Sequence, residues 1–73
     1  MTSYKPLWHL LIEREMKKKD LQTIAKISAN TITRMVNGEE VSLSVLNKIC
    51  TALGCKYEDI VEFIPDDQNE RMI

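Results

Sequence analysis

Two cysteines and one histidine are the only thiol and imidazole groups in these 73 residues. Cys50 and Cys55 stand far along the chain from His9, so a four-ligand structural zinc site cannot be assembled, and no metal or other cofactor is expected. No apolar run is long enough to span a bilayer, nothing at the start reads as a signal peptide, and no low-complexity linker divides the chain. These absences point to a soluble, cytoplasmic chain without a membrane partner. There is also no nucleophile, base and acid set, no carboxylate pair in a plausible cleft and no glycine-rich phosphate loop, so an enzyme is not expected. A separate ligand-binding domain has no room, and no small-molecule ligand is expected. A chain of this size makes one core that hides only about 60% of its unfolded surface, a marginal position that a second copy or a bound partner would improve.

What the chain does have is concentrated between Asp20 and Gly38. Leu21, Ile24 and Ala25 repeat at the spacing of one helix face, and Ile32, Met35 and Val36 repeat it again. Between them the first helix stops near Lys26 and Ile27, Ser28 is placed to cap the next helix, and Asn37-Gly38 closes it. Both apolar stripes are expected to face inward. That leaves Ala29, Asn30, Thr33, Arg34 and Asn37 on the outward side, while Thr31 points partly inward. Two helices joined by a tight turn in this way can present the second to a DNA major groove.

The remaining segments read as support. Pro6 suits the first turn of an opening helix that runs to about Glu15, with Leu7, Leu10 and Leu11 toward the core and Trp8 and Ile12 as a second stripe. So broad an apolar surface predicts that Trp8 packs under a closing helix, against Ile60 or Phe63, with a Trp-led self-association patch as the rival reading. His9 reads as a surface or half-buried residue. Gly38 to Val41 is a loop, and Ser42 caps a helix that ends at Gly54 with the stripe Leu43, Leu46, Ile49, Cys50 and Leu53. Cys50 therefore reads as a small core hydrophobe. A sensor role for Cys55 is the weaker reading. After Phe63 the chain turns polar and acidic, so residues 1–65 are expected to form the domain and 66–73 a flexible tail.

Taken jointly, the Ile-Ser-x-x-Thr-Ile turn at 27–32, the Asn37-Gly38 stop and the Leu46-x-x-Ile49-Cys50-x-Ala52-Leu53-Gly54 helix resemble the phage-repressor and Cro-type helix-turn-helix family, the lambda-repressor-like DNA-binding domains. The resemblance runs from about Leu7 to Phe63. It implies an all-α fold, a compact five-helix domain whose helices two and three form the motif, with Tyr57 to Phe63 as a short closing helix. It also implies double-stranded DNA as the partner. Ala29, Asn30, Thr33 and Arg34 then occupy base-contacting places, with Asn30 suited to adenine and Arg34 to guanine. Lys17, Lys18, Lys19, Ser28 and Asn37 occupy phosphate-contacting places.

Charge fits that assignment better than the total suggests. The net charge is −1, but residues 1–38 hold seven lysines or arginines against three acids, a net of +4, while residues 39–73 hold three against eight, a net of −5. Three features depart from the family pattern. Lys26 stands where the turn usually has glycine, so it must take a left-handed backbone or reshape the turn. Glu39-Glu40 replaces a basic loop and would repel phosphate, and Ala29 offers a base only a methyl group. The function implied is a transcriptional regulator, a repressor that binds DNA as a homodimer. The alternative is a protein-interaction module with the same fold, such as an antitoxin or an accessory subunit.

Overall fold

The computed structural model describes residues 1–65. In chain order these form strand β1 (Thr2–Ser3), helices α1 (Lys5–Glu13), α2 (Lys18–Ala25), α3 (Ala29–Val36) and α4 (Leu43–Leu53), a 3-10 turn at Tyr57–Asp59, and strand β2 (Glu62–Phe63). The expected helical domain is present, but among the described residues it holds four α-helices rather than five, together with a two-stranded sheet. The tail expected at 66–73 lies outside the described residues.

Each helix start has a local cause. Pro6 sits in the first turn of α1, where a missing N–H costs nothing. Asp20 accepts the Lys17 amide at 2.9 Å at the head of α2. Ser28 Oγ accepts the Thr31 amide at 3.1 Å, and Ser42 Oγ accepts the Val45 amide at 3.3 Å, so α3 and α4 begin at the two serines.

The helix ends share one geometry. Glu15, Lys26, Gly38 and Gly54 all have positive φ, between 57° and 80°. The amide after each donates to the carbonyl five residues back: Met16 to Leu11 at 2.8 Å, Ile27 to Gln22 at 3.2 Å, Glu39 to Arg34 at 2.9 Å and Cys55 to Cys50 at 3.1 Å. This left-handed stop satisfies carbonyls that the helix leaves open and sets the two bonded residues side by side. It also ends α1 at Glu13, earlier than its apolar pattern suggests.

Leu7, Leu21, Met35, Ile49 and Ile60 are essentially inaccessible and come from every helix plus the closing segment. α2 packs against both α3 and α4, which seats the motif on the rest of the domain. The apolar stripes are narrower than their sequence pattern. Ile12, Ile24, Val36 and Leu43 are exposed, because Leu7 with Leu11, Leu21 with Ala25, Ile32 with Met35, and Ile49 with Leu53 carry the inward faces. Ile27, in the turn, adds to the core. Ile24 borders a shallow cleft of about 370 Å³ shared with Asn47 and Thr51 of α4.

The closing segment corrects the fifth helix. Asp59 accepts the Lys56 amide at 2.9 Å, and Ile60 and Val61 both donate to the Tyr57 carbonyl at 2.9 Å, which completes a single turn. Beyond it the β-branched and aromatic run extends and pairs antiparallel with the start of the chain, Thr2 opposite Phe63 and Ser3 opposite Glu62. The sheet leaves Phe63 70% exposed, so Phe63 is not the cover for Trp8. Trp8 is half-buried and borders a groove of about 610 Å³ with Tyr4, Met35, Val36 and Ile64, and the Lys18 ammonium stands 4.9 Å from its ring centroid.

Candidate nucleic-acid interface

The outward side of α3 is built by its own inward residues. Ile32 and Met35 are 8% and 1% exposed, and with that row fixed, the helical period turns Ala29, Asn30, Thr33 and Arg34 to solvent. Asn37, the residue that ends α3, is exposed beside them. Thr31 is half-buried, as expected, and its hydroxyl shares a 2.8 Å hydrogen bond with Ser28 Oγ. The Ser28 hydroxyl thus helps to start the helix, while the residue itself stays exposed. Thr33 Oγ1 donates to the Ala29 carbonyl at 3.1 Å, which leaves its oxygen lone pairs as the outward capacity.

The turn between α2 and α3 takes the left-handed form rather than a reshaped one. Lys26 adopts φ 58° and ψ 47°, and Ile27 after it is buried in the core. Three lysines stand at the start of α2, and Lys18 borders the same groove as Met35, Val36 and Gly38. Lys17 precedes the helix, and Lys18 and Lys19 occupy its first turn, all exposed. Lys18 is the most constrained, since its ammonium rests over the Trp8 ring and a cation is attracted to that face. Asp20 in the same turn offsets part of this positive charge.

Arg34 has partners that the sequence reading did not assign. Its Nε lies 3.3 Å from Glu39 Oε1, and its Nη2 donates to the Glu40 carbonyl at 3.3 Å. The loop carrying those acids is itself anchored, because the hydroxyl of buried Tyr4 donates to the Glu39 carbonyl at 2.9 Å. Burial pushes the Tyr4 phenol above its ordinary pKa, against a backbone hydrogen bond from Val41 that lowers it. The sequence assigns Glu39 only repulsion of phosphate, whereas its carboxylate also accepts a hydrogen bond from Arg34. The signal that could have revealed more is the Gly38 stop, which brings residue 39 back to residue 34.

His9 is exposed and stands apart from these groups in α1. Cys50 and Cys55 are half-buried neighbours where α4 ends. Burial raises the Cys55 thiol to about 11, and Cys50 beside it acts in the same direction. A thiol held neutral in this way is a poor nucleophile.

A family model described as a Cro/C1-type HTH DNA-binding domain matches residues 6–66. This chain belongs to that family. Its structure is also similar to the crystal structure of the transcriptional regulator VanUg, form II, with a TM-score of 0.85 and 43% sequence identity, covering 89% of this chain and 87% of that one. No curated protein matches it. Within this Cro/C1-type domain α2 and α3 form the helix-turn-helix, and α1, α4 and the closing turn hold it from behind. Among the described residues, no helix is long and apolar enough to cross a membrane.

Proposed function

We propose that the chain is a sequence-specific transcriptional regulator, a repressor that occupies a palindromic DNA site as a homodimer. The observation that carries this reading is the exposed outer face of α3, where Ala29, Asn30, Thr33 and Arg34 stand clear of a helix seated by Ile32 and Met35. The N-terminal part of α3 enters the major groove. Asn30 pairs with an adenine edge, Arg34 with a guanine, and Ala29 packs on a thymine methyl. Lys17, Lys18, Lys19, Ser28 and Asn37 hold phosphates and set the register. Two copies place their recognition helices about 34 Å apart, one turn of the duplex. The family assignment and the similarity to a transcriptional regulator support the regulatory role.

The test is a mobility-shift titration at several salt concentrations, on a selected site and on mixed DNA. Arg34→Ala is expected to weaken the selected site by roughly 1 to 3 kcal/mol and to relax one base position, whereas Lys18→Ala weakens every sequence alike and lowers the salt slope. If neither substitution changes binding, the contact surface lies elsewhere. Enrichment of an inverted repeat and a dimer by light scattering would support the two-fold arrangement; a monomer bound to a single half-site would remove it.

A further inference from the structure

The stop of α3 is the one of the four that joins two opposite charges; that of α2 sets Gln22 beside Ile27. The side chains brought together by this backbone geometry usually make an apolar contact. Leu11 with Met16 and Cys50 with Cys55 conform. At α3 the corresponding residues are Arg34 and Glu39, an ion pair whose side chains are 50% and 52% exposed. A pair this exposed adds little to stability. Its geometry nevertheless constrains what Arg34 can present.

The Glu39 backbone is fixed at both ends, by its amide on the Arg34 carbonyl at 2.9 Å and by the Tyr4 hydroxyl on its own carbonyl at 2.9 Å. From that anchor its carboxylate engages Nε of Arg34, while the Glu40 carbonyl takes one N–H of Nη2. A guanidinium carries five N–H groups in one rigid plane. With Nε and one Nη2 hydrogen occupied, Nη1–H and the second Nη2–H remain for a further partner. That parallel fork matches O6 and N7 of guanine.

We infer that Glu39 is a positioning residue for Arg34: it holds the guanidinium end-on, which sets the preference for guanine, and its charge weakens attachment to DNA of other sequence. This inference rests on the DNA-binding reading of α3. Two effects of opposite sign therefore follow from one carboxylate. Orientation favours the correct site, and repulsion of phosphate disfavours all sites.

The experiment compares wild type, Glu39→Ala, Glu39→Gln, Arg34→Ala and the double alanine variant. Each is titrated against the wild-type-selected site, against that site with the Arg34-dependent base replaced, and against mixed DNA. Glu39→Ala is expected to bind mixed DNA more tightly while its guanine preference falls about tenfold, within the discrimination one bidentate arginine provides. Glu39→Gln keeps an oxygen for Nε without the charge, so it is expected to bind mixed DNA more tightly and keep most of the preference. Once Arg34 is alanine, removing Glu39 as well should leave base preference unchanged. Thermal melts of all variants should stay close to wild type. Equal strengthening on every sequence by Glu39→Ala, with guanine preference intact, would overturn the positioning role and leave Glu39 as a repelling neighbour. Base preference that survives Arg34→Ala would also overturn it, with the DNA-binding reading still standing. Wild type that retains no DNA at low salt would overturn both.

Discussion

Lys26 carries a backbone conformation that favours glycine, with φ 58° and ψ 47°. An L side chain in this region is strained, and glycine is not. Lys26→Gly is therefore expected to raise the urea midpoint, through a gain of about 0.5 to 1 kcal/mol in unfolding free energy after allowing for the greater freedom glycine gives the unfolded chain. An unchanged or lower midpoint would mean that the lysine stem stabilises the folded state enough to offset the strain. The conflict at Lys26 is legible in the sequence because the turn it occupies usually has glycine in the family the chain resembles. The same backbone at Glu15 was not legible, since nothing in the local composition asks for a left-handed residue there. Arg34 was similarly half-legible. Its outward placement follows from helical period, but its tie to Glu39 depends on how the backbone doubles back at Gly38.

α4 and the segment after it show how far pattern alone carries. Ser42 and Gly54 bound the helix as expected, because a cap and a left-handed stop are local events. The closing element departs from the helix that the family resemblance implies at Tyr57 to Phe63, because its β-branched residues suit extension. The deciding factor was non-local, a strand at Thr2–Ser3 available for pairing. The Cys50–Cys55 contact at this stop has a pH signature. Burial raises the Cys55 thiol from its usual value near 9 to about 11, so the unfolded state loses its proton first. Its contribution is complete below pH 9 and disappears as pH rises toward 11. Tyr4, raised above 10, adds a loss of the same sign at higher pH. Melting temperature should fall across pH 9 to 11. Cys55→Ala should flatten the first part of that fall; a profile indistinguishable from wild type would assign the whole effect to other groups.

For the entire domain, five inaccessible side chains from separate segments converge on one centre, so stability is shared rather than modular. Ile60 is the telling member, because it lies outside the helices yet is completely buried. Ile60→Ala is expected to cost about 2 to 5 kcal/mol, a large part of the roughly 5 to 15 kcal/mol that holds a typical domain together. Chemical denaturation should show loss of a single cooperative transition's midpoint, including the α2–α3 pair far along the chain. A small shift would show that the closing segment detaches independently. The sequence indicated the centre better than its edges. Leu7, Leu21, Met35 and Ile49 follow from spacing, whereas the exposure of Ile12, Ile24, Val36 and Leu43 reflects how few neighbours a small body can supply to each helix.

The pairing of β1 with β2 has a topological result. Met1 and Ile64 exchange backbone hydrogen bonds, Ile64 donating to Met1 at 2.7 Å and the Met1 amine donating in return. Points sixty-three positions apart along the polymer thus coincide in space, and a bridge of only a few residues could join them into a ring. In such a ring the order in which α1 to α4 are read would lose its fixed origin, and a new break could be placed in the bend between α1 and α2, leaving intact the turn and the loop that hold α3.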